Sequence, residues 1–203
     1  MNPGSDNFSA AVLAGGSAER LGLNKALVDI AGRKALDRIL DVLQGIFSGT
    51  SIIVQSDSDL ENFMRPGVRV LRDLLPGKGP LGGIYTALEL AARPYVFIMA
   101  CDMPYPSEDL VLHMLSRAPG HDAVVPRRGE YIEPLFAIYS REIRENIKAR
   151  LERNDLKIYE LLTEIDVLYL DEEEIASFDP EFRSFLNINT PEDLKKAMLL
   201  ADG

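Results

Sequence analysis

Arg20, Lys25, Asp73 and Asp102 are the side chains whose type and setting suggest chemistry, and the chemistry is that of a phosphate-rich ligand. Lys25 and Arg20 follow a short apolar run, Ala10–Ala14, that ends in Gly15-Gly16. Paired glycines let a backbone turn sharply and approach a ligand, because no Cβ is in the way. Amides in such a turn can point together at an anion. Lys25 is placed to sit on an α- or β-phosphate and to neutralise charge as pyrophosphate leaves. Asp102 ends another apolar run, Tyr95–Ala100. A carboxylate there is costly unless something pairs with it, and a divalent cation bridging it to a triphosphate does so. Magnesium uses one or two carboxylates plus phosphate oxygens. Asp73 suits a base, a ribose or a metal-bound water, or only shapes its loop.

Two familiar phosphate loops are excluded. A P-loop has two glycines five residues apart with Lys-Ser/Thr after the second; here Leu21 stands five residues after Gly16, and Ala26 follows Lys25. A dinucleotide fingerprint needs G-x-G-x-x-G opening a helix, and GGSAERLG lacks that spacing.

The elements that must position these groups follow from hydrophobic periodicity. Strands are predicted at Phe8–Leu13, Ser51–Val54, Val68–Leu71, Tyr95–Ala100, Asp122–Val125, Ile132–Tyr139, Val167–Leu170 and Phe185–Asn187, with a short extended piece at Leu27–Ile30. Leu36, Ile39, Leu40, Leu43 and Phe47 recur at helical spacing, so Ala35–Phe47 is an amphipathic helix. Further helices are expected around Asp59–Met64, from Leu81 to about Ala92, after the N-cap Ser107 to about Arg117, over Arg141–Glu152 and briefly within Asn154–Leu162. The closing helix has Thr190 as N-cap and Pro191 at its first position, and runs to about Leu200. Early strands alternate with helices, which predicts an α/β domain with a mostly parallel sheet and helices on both sides. The stretch 122–170 breaks the alternation and is expected to hold an antiparallel edge and the acceptor side of the site.

In open α/β sheets, ligands bind beyond the carboxyl ends of the strands. The glycine loop, Asp73, GPLGG at Gly79–Gly83 and Asp102 all fall there, and their convergence says more than any one alone. Other residues read more plainly. Cys101 is a small core residue rather than a nucleophile. His113 and His121 are scattered and make no zinc site. Arg127 and Arg128 sit at a solvated hairpin tip, with an acceptor phosphate as the competing role. Asn187 and Asn189 either end a strand and cap the last helix, or turn their amides to the rim and touch acceptor or metal.

Composition bounds the rest. With 203 residues, one domain over 8–203 is expected, preceded by a disordered segment at 1–7. A formal net charge of −10 argues against non-specific nucleic-acid binding, so an anionic substrate has to be attracted locally. The acidic run Asp171–Glu174 reads as a solvated face or helix start. The apolar run Tyr95–Cys101 is too short to span a bilayer, and Met1–Ser9 has no secretory character, so a cytoplasmic protein without membrane association is expected.

The ordered set of motifs resembles one family. LAGGSAERLGLNK, Arg72-Asp73, GPLGG, CDMP, EPLFAIY at Glu133–Tyr139 and NINTPEDL at Asn187–Leu194 run in the order of the molybdenum cofactor guanylyltransferases, within the wider NTP-transferase group. The resemblance covers nearly the whole chain. It implies a three-layer Rossmann-like domain of nucleotide-diphospho-sugar transferase type, with a mostly parallel mixed sheet. It also implies transfer of GMP from GTP to the terminal phosphate of metallated molybdopterin, with pyrophosphate leaving.

Carried over by residue, Leu13, Ala14, Gly15 and Lys25, with Asp73, bind GTP, and Asp102 binds it through Mg²⁺; Gly16 and Arg20 of the glycine loop and Gly82 of GPLGG, read from their own setting, join the expected nucleotide site. Lys25 and Asp102 are the catalytic pair. Gln55 stands where the family pattern suggests an Asn that helps read the base. Gly32-Arg33-Lys34-Ala35 lacks the proline often found in that turn. Lys157 occupies a region where the family often has an Arg for the pterin phosphate; a point charge replaces a fork there. With Asn187 and Asn189 it completes the expected acceptor side. Transient contact with cofactor-insertion or acceptor proteins belongs to the same expectation. Two alternatives stand beside it: a sister enzyme using CTP on the pterin, or an NTP on another phosphorylated acceptor, and a non-catalytic nucleotide-binding protein that delivers the cofactor.

Overall fold

The computed structural model describes residues 5–14, 17–18, 23–56 and 63–201. Ser5–Asn7, expected to belong to the N-terminal disordered segment, form a 3-10 turn leading into β1 (Phe8–Leu13). Two small hairpins follow, β2 (Ser17–Ala18) with β3 (Leu23–Asn24), then β4 (Asp29–Ile30) with β5 (Arg33–Lys34). The second turns through Ala31 and Gly32, both at positive φ. The chain continues with α1 (Ala35–Ile46), β6 (Thr50–Val54), β7 (Val68–Arg72), α2 (Gly79–Leu90), β8 (Tyr95–Ala100) and α3 (Glu108–Arg117). The remainder is β9 (Ala123–Arg128), β10 (Tyr131–Ile132), β11 (Phe136–Ser140), α4 (Arg144–Glu152), α5 (Ile158–Leu161), β12 (Val167–Leu170), α6 (Glu172–Ala176) and α7 (Pro191–Ala201). The expected helix at Asp59–Met64 falls largely outside the described residues.

Among the described residues one sheet has the order β10-β9-β11-β8-β1-β6-β7, with β12 also paired to β9. The β7-β6-β1-β8 half is parallel, whereas β11 runs antiparallel to β8 and to β9. The expected antiparallel region is therefore present, but β12 joins it in parallel with β9. Alternation along the strands supplies both cores. Phe8, Ala10 and Val12 of β1 and Phe97 and Met99 of β8 face α1 and α3, while Ala11, Val96 and Ile98 face α2 and α4. Central strands covered on both faces read as unbroken apolar runs, which explains YVFIMA. Burying each large side chain of this kind stabilises the fold by about 1.5–3 kcal/mol.

Two sequence expectations are corrected. Ile132–Tyr139 is not one strand: the regular ladder breaks at residues 133–135, where Glu133 N still bonds Pro126 O and Leu135 O still accepts from Ala100 N, but Pro134 has no amide to donate and the Glu133 carboxylate accepts the Leu135 amide at 3.3 Å. Phe185–Asn187 is no strand either: residues 183–185 form a 3-10 turn, after which Ile188 N bonds Asp102 O at 2.9 Å. The acidic run 171–174 is a helix start, with Asp171 capping α6 through Glu174 N. Thr190 and Asp193 form a reciprocal cap on α7, and the Thr190 hydroxyl bond, foremost, holds the Asp193 carboxyl below its usual range. Ile188 and Ala197 then pack with Val28, Ile30 and Ala35, closing the C-terminal helix against the second hairpin.

The α4–α5 connection is organised by Arg150, whose side chain is only 2% exposed. It reaches Asp155, Glu160 (3.0 Å) and Glu164 (2.7 Å). All three acids are partly solvated, so removing the cation leaves them in water rather than buried and unpaired. Arg150→Met is accordingly expected to cost about 2 kcal/mol, less than a fully buried pair, read from a denaturant midpoint with nucleotide affinity unchanged.

Candidate active site

The parallel strands end side by side, and the site is built on those ends. Leu13 lies in register with Ile53 and with Ala100. The ladder extends one residue further on each: Ala14 N bonds Ile53 O at 2.9 Å, Asp73 N bonds Val54 O at 2.7 Å, and Cys101 N bonds Leu13 O at 3.2 Å. Leu13, Ile53, Gln55, Asp73, Cys101 and Asp102 thereby line one crevice, together with Lys25, Leu135 and the start of α2 at Gly79-Pro80. Helix α2 begins at this wall without a side-chain cap, and an uncapped helix start is a setting that favours an anion. Positive φ at Gly77 and Gly79 folds the preceding loop back so that the helix can start at this point.

At the end of β8, Lys25 Nζ donates to Asp102 Oδ2 at 2.8 Å and also to Asn189 Oδ1. These groups are 77 and 164 residues apart in the chain. The bond from Ile188 N to Asp102 O carries Asn189 to this position. The second oxygen, Asp102 Oδ1, is buried with no hydrogen-bond partner among the described residues. An orphaned carboxylate oxygen is costly. Two oxygen donors converging on a cation, with a third oxygen open, match the donor chemistry of a hard divalent ion.

Asp73 is 3% exposed. Its Oδ1 accepts from Thr86 Oγ1 at 2.6 Å and from Leu75 N at 3.0 Å. Thr86, which sequence reasoning did not single out, thus aims Asp73 from within α2. Gly82 does not line the crevice. A Cβ there would lie 2.9 Å from Lys78 Cβ and 3.1 Å from Leu75 O, so its bareness lets α2 press on the loop that carries Asp73. Gly83 is the wall instead, because a Cβ would meet the Leu13 side chain at 3.2 Å. Ala14 is buried beneath the rim. Gly15, Gly16, Arg20 and Gly22 lie outside the described residues.

Lys157 is not brought to the crevice; it is exposed and paired with Glu160 at 2.7 Å, which holds its ammonium above the ordinary range. Arg127 stacks over Tyr169 and Arg128 over Phe182, so both guanidinium groups pack on rings. Cys101 is buried, and that burial above all pushes its thiol up to about 12, consistent with a core role. His113 pairs with Glu174 and stacks on Phe178, while His121 pairs with Asp166. Glu133 was quoted only within a motif. It is 6% exposed, and desolvation raises its carboxyl although Tyr131 donates to it. A charged residue interrupting an apolar run was the signal available for it.

A larger cavity, about 550 Å³ against about 190 Å³ for the crevice, lies between α1 and residues 178–183. Its Arg33 is paired with Asp41 and its Arg183 with Glu181. It holds none of Lys25, Asp73 or Asp102, so chemistry rather than volume selects the crevice.

Residues 10–167 match the family model of the MobA-like NTP transferase domain. A probable molybdenum cofactor guanylyltransferase from Pelotomaculum thermopropionicum is 36% identical, over 94% of this chain and 92% of its own. A molybdenum cofactor guanylyltransferase from Syntrophotalea carbinolica is 34% identical, over 93% and 89%. Among solved structures, molybdopterin-guanine dinucleotide biosynthesis protein A from Archaeoglobus fulgidus superposes with a TM-score of 0.85 at 29% identity, covering 96% of this chain and 98% of that one.

Proposed function

The chain belongs to the MobA-like NTP transferase family, and we propose that it transfers GMP from GTP to the terminal phosphate of metallated molybdopterin, releasing pyrophosphate. The observation that carries this reading is the Lys25 ammonium held between Asp102 and Asn189 at the ends of the parallel strands. In the reaction an acceptor phosphate oxygen forms a bond to the α-phosphorus, the bond from that phosphorus to the bridging oxygen breaks, and pyrophosphate keeps the electron pair. Little covalent participation is asked of the protein; positioning and fixed charge supply most of the acceleration.

The base side is Leu13, Ile53 and Gln55 with the start of α2, and Asp73 is braced beside it by Thr86. Lys25 is within reach of the phosphates and exchanges its carboxylate for them. Asp102, with its unpartnered oxygen, would hold Mg²⁺, and Asn189 is the adjacent donor. A Mg²⁺ ion held by Asp102 would supply charge neutralisation for the phosphates during transfer. The same reading places the protein in the cytoplasm, in transient contact with proteins that insert or receive the finished cofactor. Among the described residues no helix is long and apolar enough to cross a membrane.

The test is pyrophosphate release with GTP, CTP and ATP, each with and without metallated molybdopterin. Release that needs the pterin and prefers GTP by about tenfold or more in kcat/KM is expected, the discrimination of about 1.4 kcal/mol that the base contacts must supply. A preference for CTP would transfer the assignment to the sister reaction. No release with any nucleotide would leave the cofactor-delivery alternative.

A further inference from the structure

Two tyrosine rings stand out of the surface beside the crevice. Tyr131 in β10 and Tyr159 in α5 are each 53% exposed. They are the aromatic members of the exposed large hydrophobic side chains among the described residues. Their chain neighbours Ile132 and Ile158 are buried in the same apolar cluster, so both rings emerge at the rim of one packed region.

Glu133 ties that rim to the site. One of its oxygens accepts from Tyr131 Oη at 2.7 Å and the other from Leu135 N at 3.3 Å, and the Asn187 side chain, which donates to Phe185 O at 3.4 Å, lies close enough to favour the charged carboxylate. Leu135 lines the crevice, and Asn187 lies two residues before the Asn189 that meets Lys25. A single buried carboxylate therefore connects the exposed ring to the crevice wall, beside the segment that reaches Lys25. Burial first, then Glu133, then Tyr159 and Asp102 hold the Tyr131 phenol above its ordinary value, so Tyr159 and Asp102 both lie within electrostatic reach of that phenol.

We propose that Tyr131 and Tyr159 form the stacking subsite for the conjugated ring of the acceptor, with Glu133 as the residue that positions Tyr131. This rests on the guanylyltransferase reading. The acceptor carries a phosphate at one end and a pterin at the other. Its phosphate must reach Lys25 and Asp102, and the base occupies the opposite wall, so the pterin extends toward β10 and α5. A polar, flat heterocycle gains from a tyrosine face without needing exact hydrogen-bond geometry, and stacking of a heterocyclic base on an aromatic side chain is a substantial share of binding where it occurs.

The experiment varies metallated molybdopterin at saturating GTP. Tyr131→Leu and Tyr159→Leu are each expected to raise the acceptor KM about tenfold (about 1.4 kcal/mol), with kcat and GTP affinity unchanged. Tyr159→Phe keeps its ring and stays within about twofold of the parent, whereas Tyr131→Phe keeps its ring but loses the bond to Glu133 and raises the acceptor KM as Glu133→Leu does. Glu133→Leu raises the acceptor KM, Glu133→Gln restores it, and Glu133→Leu adds little to Tyr131→Leu. In a separate arm, a pterin bearing a phosphomonoester side chain is titrated by its own fluorescence; quenching by the wild type and its loss in the leucine variants are expected. An unchanged acceptor KM in both leucine variants, with GTP affinity intact, overturns the subsite and leaves guanylyl transfer standing. Absence of turnover in the wild type strikes the transfer reading first, and the titration then decides the subsite: a wild type that does not quench overturns it.

Discussion

Asp102→Ala is expected to abolish Mg²⁺-dependent pyrophosphate release, lowering kcat by about 10³-fold or more, equivalent to about 4 kcal/mol of transition-state stabilisation. The fold should survive. The side chain of Asp102 bonds Lys25, whereas the bond that docks the C-terminal segment comes from its backbone carbonyl. Truncation also removes a buried oxygen that has no partner, so the denaturation midpoint should hold or rise. Asp102→Asn, nearly isosteric but uncharged, should be almost as inactive, which separates loss of charge from loss of shape. Turnover retained in either variant would remove Asp102 from the proposed metal site.

Lys25→Ala is expected to lower kcat by about 10²–10³-fold, the range for removing one fixed donor from a developing charge. GTP affinity should fall less, because in the proposed reading the start of α2 and the base side also hold the ground-state nucleotide. Lys25→Arg should recover little: the guanidinium is longer and forked, and cannot occupy the point between Asp102 and Asn189 that a compact ammonium fills. The double variant with Asp102→Ala should be scarcely worse than Asp102→Ala alone, since groups acting on one transition state are not additive. Equal losses of kcat in Lys25→Ala and Lys25→Arg, with unchanged GTP affinity in both, would mark the contribution as made in the transition state.

How far the sequence reached can be judged residue by residue. YVFIMA was legible as a central strand because a strand covered on both faces has no polar positions to place, and Tyr95–Ala100 is that strand. Helix α1 was legible because its buried positions recur every three or four residues. Glu133-Pro134 was harder. Apolar residues resume directly after it at Leu135 and Phe136, so the charged residue and the proline read as a local irregularity, and how the chain turns there depends on where the Glu133 carboxylate finds its partners. Phe185–Asn187 failed for a related reason: three residues of suitable composition make a strand only if a neighbour supplies a ladder, and here the chain meets a single carbonyl, that of Asp102. Gly82 was assigned to the nucleotide because a glycine in a loop-to-helix junction suggests close approach of a ligand; the close approach is to Leu75 and Lys78 instead.

The α/β architecture and the candidacy of Lys25, Asp73 and Asp102 follow from the sequence alone, because strand ends, glycine turns and charged residues are local features, and the family and reaction class follow from the resemblance that the ordered motifs carry. Tertiary structure alone decided that Asn189 shares Lys25 with Asp102, that Thr86 braces Asp73, and that the Tyr131 hydroxyl is tied to Glu133 within electrostatic reach of Tyr159 and Asp102. Each of these depends on contacts between segments far apart in the chain, and such contacts are set by how the sheet and its two cores close, not by any spacing that can be counted in the residues.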